Sequence, residues 1–412
     1  MGPASEIDAI QSVTMSRKSY SDPWTESHTI HTAFHFWQCS GVSTSGAGVT
    51  MLTEVKRVSR KDLAAKLLGA LGITALARHR HRGQLAILMY HGVEPAPLSP
   101  PCWHVIDTAA FQRQLTYLRR HFHVLPLAEA LERLHTGTLP DRAVTITFDD
   151  GTRNLATQAA PVLHALGMPA AVFLATGPMG SDEALWPDRL WLAFARTERT
   201  DVDLTQIGLG LLPLASAGDR GSAYSRAVGR LKDLPDEQRA ERLQSLVTML
   251  RREGDGDPGP FRMLSWPEAH AMAQNGSVTL HPHSVTHPIL SRCSDEKVEQ
   301  EISDSCAALE RETGVAPTIF AYPNGRAQDF DQRARSALRR RGIRWALSTV
   351  EGFANQDSDP LALPRLGIGS DLSFASFCAL VSGALPRRRT GDQLLAPASA
   401  LAIRAADAET NG

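Results

Sequence analysis

The chain has 412 residues, 42% hydrophobic and 21% charged, with a formal net charge of -1. This balance is ordinary for folded proteins and argues against wholesale disorder, and a chain with no net field has no general attraction for nucleic acid or other polyanions. No apolar run reaches the roughly 18 to 20 residues of a spanning helix, so no transmembrane segment is expected.

Five scattered cysteines without a Cys-x-x-Cys pair read as isolated thiols rather than a metal knuckle or redox motif. Residues 1–50 are rich in Ser, Thr, His and Gly without a regular apolar period and are expected to form a disordered leader. Residues 51–84 follow as an amphipathic helix and linker: Ser59 offers an N-cap, and Leu63, Leu67, Leu68 and Leu71 recur at helical spacing. That helix could pack on its own domain or lie against a membrane surface or partner. The beginning of the chain lacks the pattern of a secretory signal, so cytoplasmic location is the default expectation, with cell-envelope association left open. The Ala-rich tail, 386–412, carries no assigned chemistry, and the pattern does not set an oligomeric state.

Between these ends, residues 85–385 alternate strand and helix. Leu85–Met89 is a buried-strand run ending at Tyr90-His91-Gly92, and helical spacing follows over 109–120 and 127–134. Ala143–Phe148 is a second strand, ending at Asp149-Asp150-Gly151; a helix over 156–166, stopped by Gly167, leads to a third strand over 170–175. Residues 177–262 interrupt the alternation with a helical insertion or lid. Ser265 then opens a helix in capping-box spacing with Glu268. A strand over 277–280 runs into His281-Pro282-His283. The helix 294–313, strand 318–321, helix 332–341 and strand 345–348 complete the pattern. Strand–helix–strand succession predicts parallel pairing, and in a parallel α/β barrel the unusual residues at strand ends gather on one face.

Asp149 and Asp150 are adjacent carboxylates at the end of a buried strand, where mutual repulsion and desolvation are costly unless something neutralises them. A metal ion would do so, with one carboxylate ligating and its neighbour facing water; a turn or helix cap built from Asp-Asp-Gly is the structural alternative. His283-Ser284-Val285-Thr286-His287 places two imidazoles at i and i+4, one helical turn apart, a spacing that can chelate one ion. Two imidazoles and a carboxylate suit catalytic zinc and also admit cobalt, nickel or iron.

Thr147-Phe148-Asp149-Asp150-Gly151 and His283-Ser284-Val285-Thr286-His287-Pro288 together resemble the first two motifs of the polysaccharide deacetylase, or NodB-homology, family (carbohydrate esterase family 4), and Phe320-Ala321-Tyr322-Pro323-Asn324-Gly325 resembles its third, which shapes one wall of the sugar groove. The resemblance spans roughly residues 85 to 370. It implies a distorted (β/α) barrel that hydrolyses N-acetyl groups of a carbohydrate substrate, with Asp149 as base, Asp150, His283 and His287 as ligands of one divalent metal, and Tyr322, Pro323 and Asn324 lining the groove. A backbone N–H near Tyr322 would help hold the oxyanion.

The chain departs from the family pattern in having no histidine after His287, where the family places its general acid. Met89-Tyr90-His91-Gly92-Val93 is instead similar to the start of a circularly permuted branch, typified by biofilm poly-N-acetylglucosamine deacetylases, in which that histidine comes first. His91 is therefore the expected acid, with a packed strand-end histidine as the alternative. Arg365 resembles an arginine that orients the catalytic aspartate and could equally be a surface cation. His281 could line the groove or fill space, and Trp186, in Trp186-Pro187-Asp188-Arg189, could stack on a sugar or belong to a core. A different amide hydrolase on the same scaffold, or a carbohydrate-binding protein without activity, are the rival readings.

Overall fold

In the computed structural model, the structure describes Ala65, Leu68 and residues 73–251, 256–274 and 276–385. The expected leader, most of the amphipathic helix and the tail lie outside the described residues. Seven parallel strands form the barrel wall: β1 (Leu85–Tyr90), β2 (Ala143–Phe148), β3 (Ala170–Leu174), β4 (Val278–Pro282), β5 (Ile319–Ala321), β6 (Trp345–Glu351) and β7 (Leu363–Gly367), hydrogen-bonded in the order β5-β6-β7-β1-β2-β3-β4. A two-residue strand, His123–Val124, also pairs with β2. Strands buried on both faces need no alternation, which is why β1, β2 and β3 read as nearly continuous apolar runs.

The described helices are α1 (Ile73–Arg80), α2 (Thr108–His121), α3 (Leu127–His135), α4 (Ala160–Leu166), α5 (Trp186–Arg196), α6 (Ala217–Lys232), α7 (Asp236–Leu250), α8 (Trp266–Ala273), α9 (Asp295–Thr313), α10 (Gln332–Arg340) and α11 (Phe374–Val381), of which α5, α6 and α7 belong to the insertion. Ser265 and Glu268 make the expected capping box, and Gly167 and Gly314 end α4 and α9 in the left-handed conformation. A π-helical turn, Leu155–Ala159, precedes α4 inside what reads in sequence as one helix. No described helix is long and apolar enough to cross a membrane.

Pleat parity divides the core. Leu85, Ile87, Ala143, Ala171, Phe173, Ile319, Leu347 and Leu363 cluster together with Leu127, Ala130, Leu131 and Leu134 of α3. Ala86, Leu88, Ile146, Val172 and Leu174 join a second cluster with α2, α4 and α11 residues such as Leu115, Leu163 and Phe377. The insertion has its own apolar cluster, built from α5, α6, α7 and a hairpin (Asp201–Asp203 with Leu211–Pro213), into which Cys102 and Val105 also pack. The hairpin strands are short and mostly exposed, so helical spacing dominates that part of the sequence.

Register carries the strand ends to one level. Tyr90 lies beside Phe148, so His91 and Asp149 leave their strands together, and Asp149 N donates to Tyr90 O (2.9 Å). Leu174 lies beside Pro282, and His283 N donates to Leu174 O (2.9 Å). No ladder joins the edge strands β4 and β5 among the described residues; the His283 ring spans that seam, with Nδ1 2.7 Å from Ala321 O.

The turn after β5 holds Asn324 and Gly325 at φ 62° and 65°. A Cβ on Gly325 would sit 2.9 Å from Tyr322 O and 3.0 Å from Thr349 N, both backbone atoms with little room to move. Gly325→Ala should therefore lower stability by about 1–3 kcal/mol, read by thermal unfolding; an unchanged transition would contradict this account of the turn.

Candidate active site

At the C-terminal ends of the strands, Asp150, His283 and His287 place three ligand atoms within 4.8 Å of one another, the one such group of three or more among the described residues. His283 Nε2 and His287 Nε2 lie 3.6 and 3.3 Å from Asp150 Oδ1, and the imidazole centroids are 5.0 Å apart. The two histidines do not share a helical turn, contrary to the spacing argument. Residues 283–287 form a bent loop, with Ser284 at φ 66° and His287 at φ 58°, and Pro288 follows. Asp150 is also left-handed, at φ 74°. Non-glycine residues tolerate that region only when their surroundings over-determine it, and here two of the three candidate ligands occupy it.

Three buried side chains supply much of that constraint. Glu301 of α9, 4% exposed, accepts from Val285 N and Thr286 N (both 2.8 Å) and from Thr286 Oγ1 (2.5 Å), gripping the loop between the histidines. Ser284 Oγ accepts from His287 N (3.0 Å), while the indole Nε1 of Trp186 donates to His287 O (3.1 Å). Glu301 escapes sequence reasoning because it sits among many charged residues of a long helix. Its burial is the only distinguishing signal.

The donor set fits a divalent cation. Asp150 Oδ1 is buried without a hydrogen-bond partner among the described residues. Burial would raise the Asp150 carboxyl, but the His283 imidazole, with His287 and His91 beyond it, holds it far below its ordinary range. Burial pushes His287 down to about 3, leaving it in the neutral form that ligates. The Nδ1 of His283 is committed to Ala321 O, so its Nε2 faces the cluster, the usual way a second partner orients a ligating imidazole.

Asp149 is neutralised separately. Arg365, on β7 and 1% exposed, donates Nη1 and Nη2 to Asp149 Oδ1 and Oδ2 at 2.7 Å each, and its Nε donates to Ser348 O (2.8 Å). Burial alone would raise the Asp149 carboxyl; the Arg365 charge, aided by His283, outweighs it and holds Asp149 below the ordinary carboxylate range. Arg365 is thus a fully buried partner of the aspartate and no surface cation. His91 is largely buried, with Nδ1 unpartnered among the described residues and its ring edge-on to Trp103 at 5.3 Å. Burial lowers it to about 4, against the opposing charges of Asp150 and Asp149.

Other sequence candidates sit differently. Tyr322 is fully buried, its ring stacked on Phe330 (3.9 Å) and its hydroxyl donating to Leu361 O (2.9 Å); its N–H is spent on Leu347 O (3.0 Å), so neither its side chain nor its amide is free for a sugar or an oxyanion. Pro323 is buried, and Asn324 donates Nδ2 to Asp329 Oδ2 (2.5 Å), fastening the turn itself. Trp186, 8% exposed, packs in the insertion core with Arg239 over its ring (5.0 Å), so its faces are not offered for stacking. His281 lies one pleat deeper than His283, against Phe173 (5.3 Å) and bonded to Thr279 Oγ1 (2.9 Å), outside the three-ligand cluster.

Breaking a buried ion pair leaves a stranded charge. Arg365→Gln should cost about 3–5 kcal/mol in chemical denaturation at neutral pH. Stripped of Arg365, the buried Asp149 carboxyl should titrate at higher pH, so the deficit should narrow as pH falls and the carboxylate takes up a proton. A loss below about 1 kcal/mol, or one independent of pH, would contradict the pairing.

Known proteins resemble this chain over much of its length. The polysaccharide deacetylase family model matches residues 136–213 and 214–346, together about half of the chain. The Bacillus subtilis protein YxkH is 22% identical over 300 residues, covering 72% of this chain and 76% of its own. Among solved structures, the Streptococcus pyogenes deacetylase PplD is 18% identical with a TM-score of 0.48, covering 72% of this chain and 98% of that one. IcaB from Ammonifex degensii is 19% identical with a TM-score of 0.48, at 73% and 97% coverage. With a family model matched over about half of its length and a nearly closed parallel barrel, the chain belongs to the polysaccharide deacetylase family of hydrolases.

Proposed function

We propose that this chain hydrolyses the N-acetyl group of an amino sugar in a polysaccharide or glycoconjugate, releasing acetate, with a divalent metal held by Asp150, His283 and His287. The observation that carries this reading is the separation of the two adjacent carboxylates. Asp150 faces two imidazoles, whereas Asp149 is charged, oriented by Arg365 and outside the ligand cluster. Zinc suits two nitrogens and one oxygen, with cobalt, nickel or iron as alternatives. When bound there, the cation supplies Lewis acidity to the water and the acetamide carbonyl.

The remaining steps belong to the protein. Asp149 takes the proton from the attacking water. Arg365 holds both its oxygens, which fixes the carboxylate's plane and keeps it ionised at neutral pH. His91, at the neighbouring strand end, delivers a proton to the departing nitrogen. Burial leaves it neutral at rest, so it takes up a proton from solvent before giving one to the leaving nitrogen, and the charges of Asp150 and Asp149 favour that uptake. Glu301 and Trp186 hold the loop that carries the histidines.

Acetate release from N-acetylglucosamine oligomers, compared with cyclic ureides and imides, tests the reaction class. Asp149→Asn and His91→Ala should each slow release by about 10²–10⁴-fold with metal content intact; near-wild-type rates would overturn the assigned roles. Glu301→Gln and Trp186→Phe should weaken zinc affinity by about 10–100-fold in a chelator competition, and unchanged affinity would refute the loop's supporting role.

A further inference from the structure

Behind His91 lies a second buried imidazole that the reaction scheme does not use. His104 is 8% exposed, and its Nε2 is 2.9 Å from Oδ1 of Asp188, itself 2% exposed. His104 comes from the loop between β1 and α2, whereas Asp188 comes from the first turn of α5, within the insertion. The His104 ring centroid is 5.6 Å from that of His91, and Trp103 touches both rings edge-on, at 5.3 and 5.4 Å. A carboxylate this deeply buried needs a cation, and His104 is the one cationic side chain bonded to it among the described residues.

We propose that the His104–Asp188 pair is a positioning device for His91: a buried pair, half of it supplied by the insertion, that packs behind the His91 ring and tunes its acidity. The proposal rests on the acid role given to His91 above. It also makes the insertion part of the catalytic apparatus, because α5 supplies Asp188 as well as the indole that holds the His287 carbonyl.

The charges around the two rings are consistent with this arrangement. Burial would lower His104, but Cys102 and Asp188 beside it raise it well above the ordinary range. Burial raises Asp188 and the His104 contact opposes it without cancelling it, leaving the carboxyl above its ordinary range. Cys102 Sγ is 3.4 Å from His104 Nδ1, Phe261 closes one side of the ring at 5.8 Å, and Tyr224 faces Cys102 and Asp188. His91 itself is faced by Asp149, Asp150, Arg365 and His104. Of these, His104 and Arg365 disfavour its protonation, and only the His104 charge depends on the insertion. Removing the Asp188 carboxylate leaves His104 buried without a counter-charge, so it should become neutral and its effect on His91 should disappear.

The test follows the His91 ring by ¹⁵N-histidine NMR in the zinc-loaded full chain, with its signal assigned by loss in His91→Gln. In Asp188→Asn, His91 should titrate higher than in the wild type by on the order of one unit. Should Asp188→Asn fail to fold, His104→Gln is the second variant and should give the same upward shift. A His91 titration unchanged in the folded variant would overturn the proposal. Because the readout is the ring and not acetate release, absence of deacetylation would sink the functional reading while leaving this comparison decisive on its own terms.

Discussion

Two consecutive carboxylates at the end of a buried strand impose the central constraint on this protein. Asp149 and Asp150 are 2% and 6% exposed, and neither could stay ionised there without its own compensation. The barrel provides two. Arg365 reaches Asp149 from β7 on one side of β1, and His283 and His287 reach Asp150 from the loop after β4 on the far side of β3. Because the compensating groups come from β7 and the loop after β4, each one strand beyond the neighbours of β2 and distant from it in sequence, the site exists only when the parallel order is complete. Left-handed backbone at Asp150 and His287 is the local cost of aiming side chains from adjacent positions in divergent directions.

Much of this was legible in the sequence, for physical reasons specific to each element. β1, β2 and β3 are buried on both faces, so their apolar runs and the polar residues that end them stand out. Asp149, Asp150, His283 and His287 announce themselves because charged and imidazole groups at buried strand ends are expensive. β7 has no clear apolar signature, since Leu363–Gly367 carries Pro364 and Arg365 in five residues; an arginine facing a barrel interior reads as surface until its partner is known. The local geometry of the histidine loop is hidden in the sequence for a related reason. A spacing of four suits a helical turn, yet the chain reaches the same proximity through a bend secured by Glu301, a residue with no sequence signature of its own.

The aromatic and amide residues of the candidate groove show the converse. Tyr322, Asn324 and Trp186 are the residue types that bind sugars, and each is committed instead to holding the backbone that carries the site. Residue type indicates what a side chain can do, whereas burial and existing partners decide what remains available. The insertion is similarly more than a cover: its own apolar core lets α5 present Trp186 and Asp188 rigidly toward two different parts of the site.

The most direct measurement is metal content and affinity in the purified wild-type chain beside Asp150→Asn and His283→Ala. One zinc-type ion per chain in the wild type, lost in both variants while Asp149→Asn retains it, is the predicted result. A wild type that binds no divalent metal, or variants that bind it as well as the wild type, would contradict the division of labour between the two carboxylates.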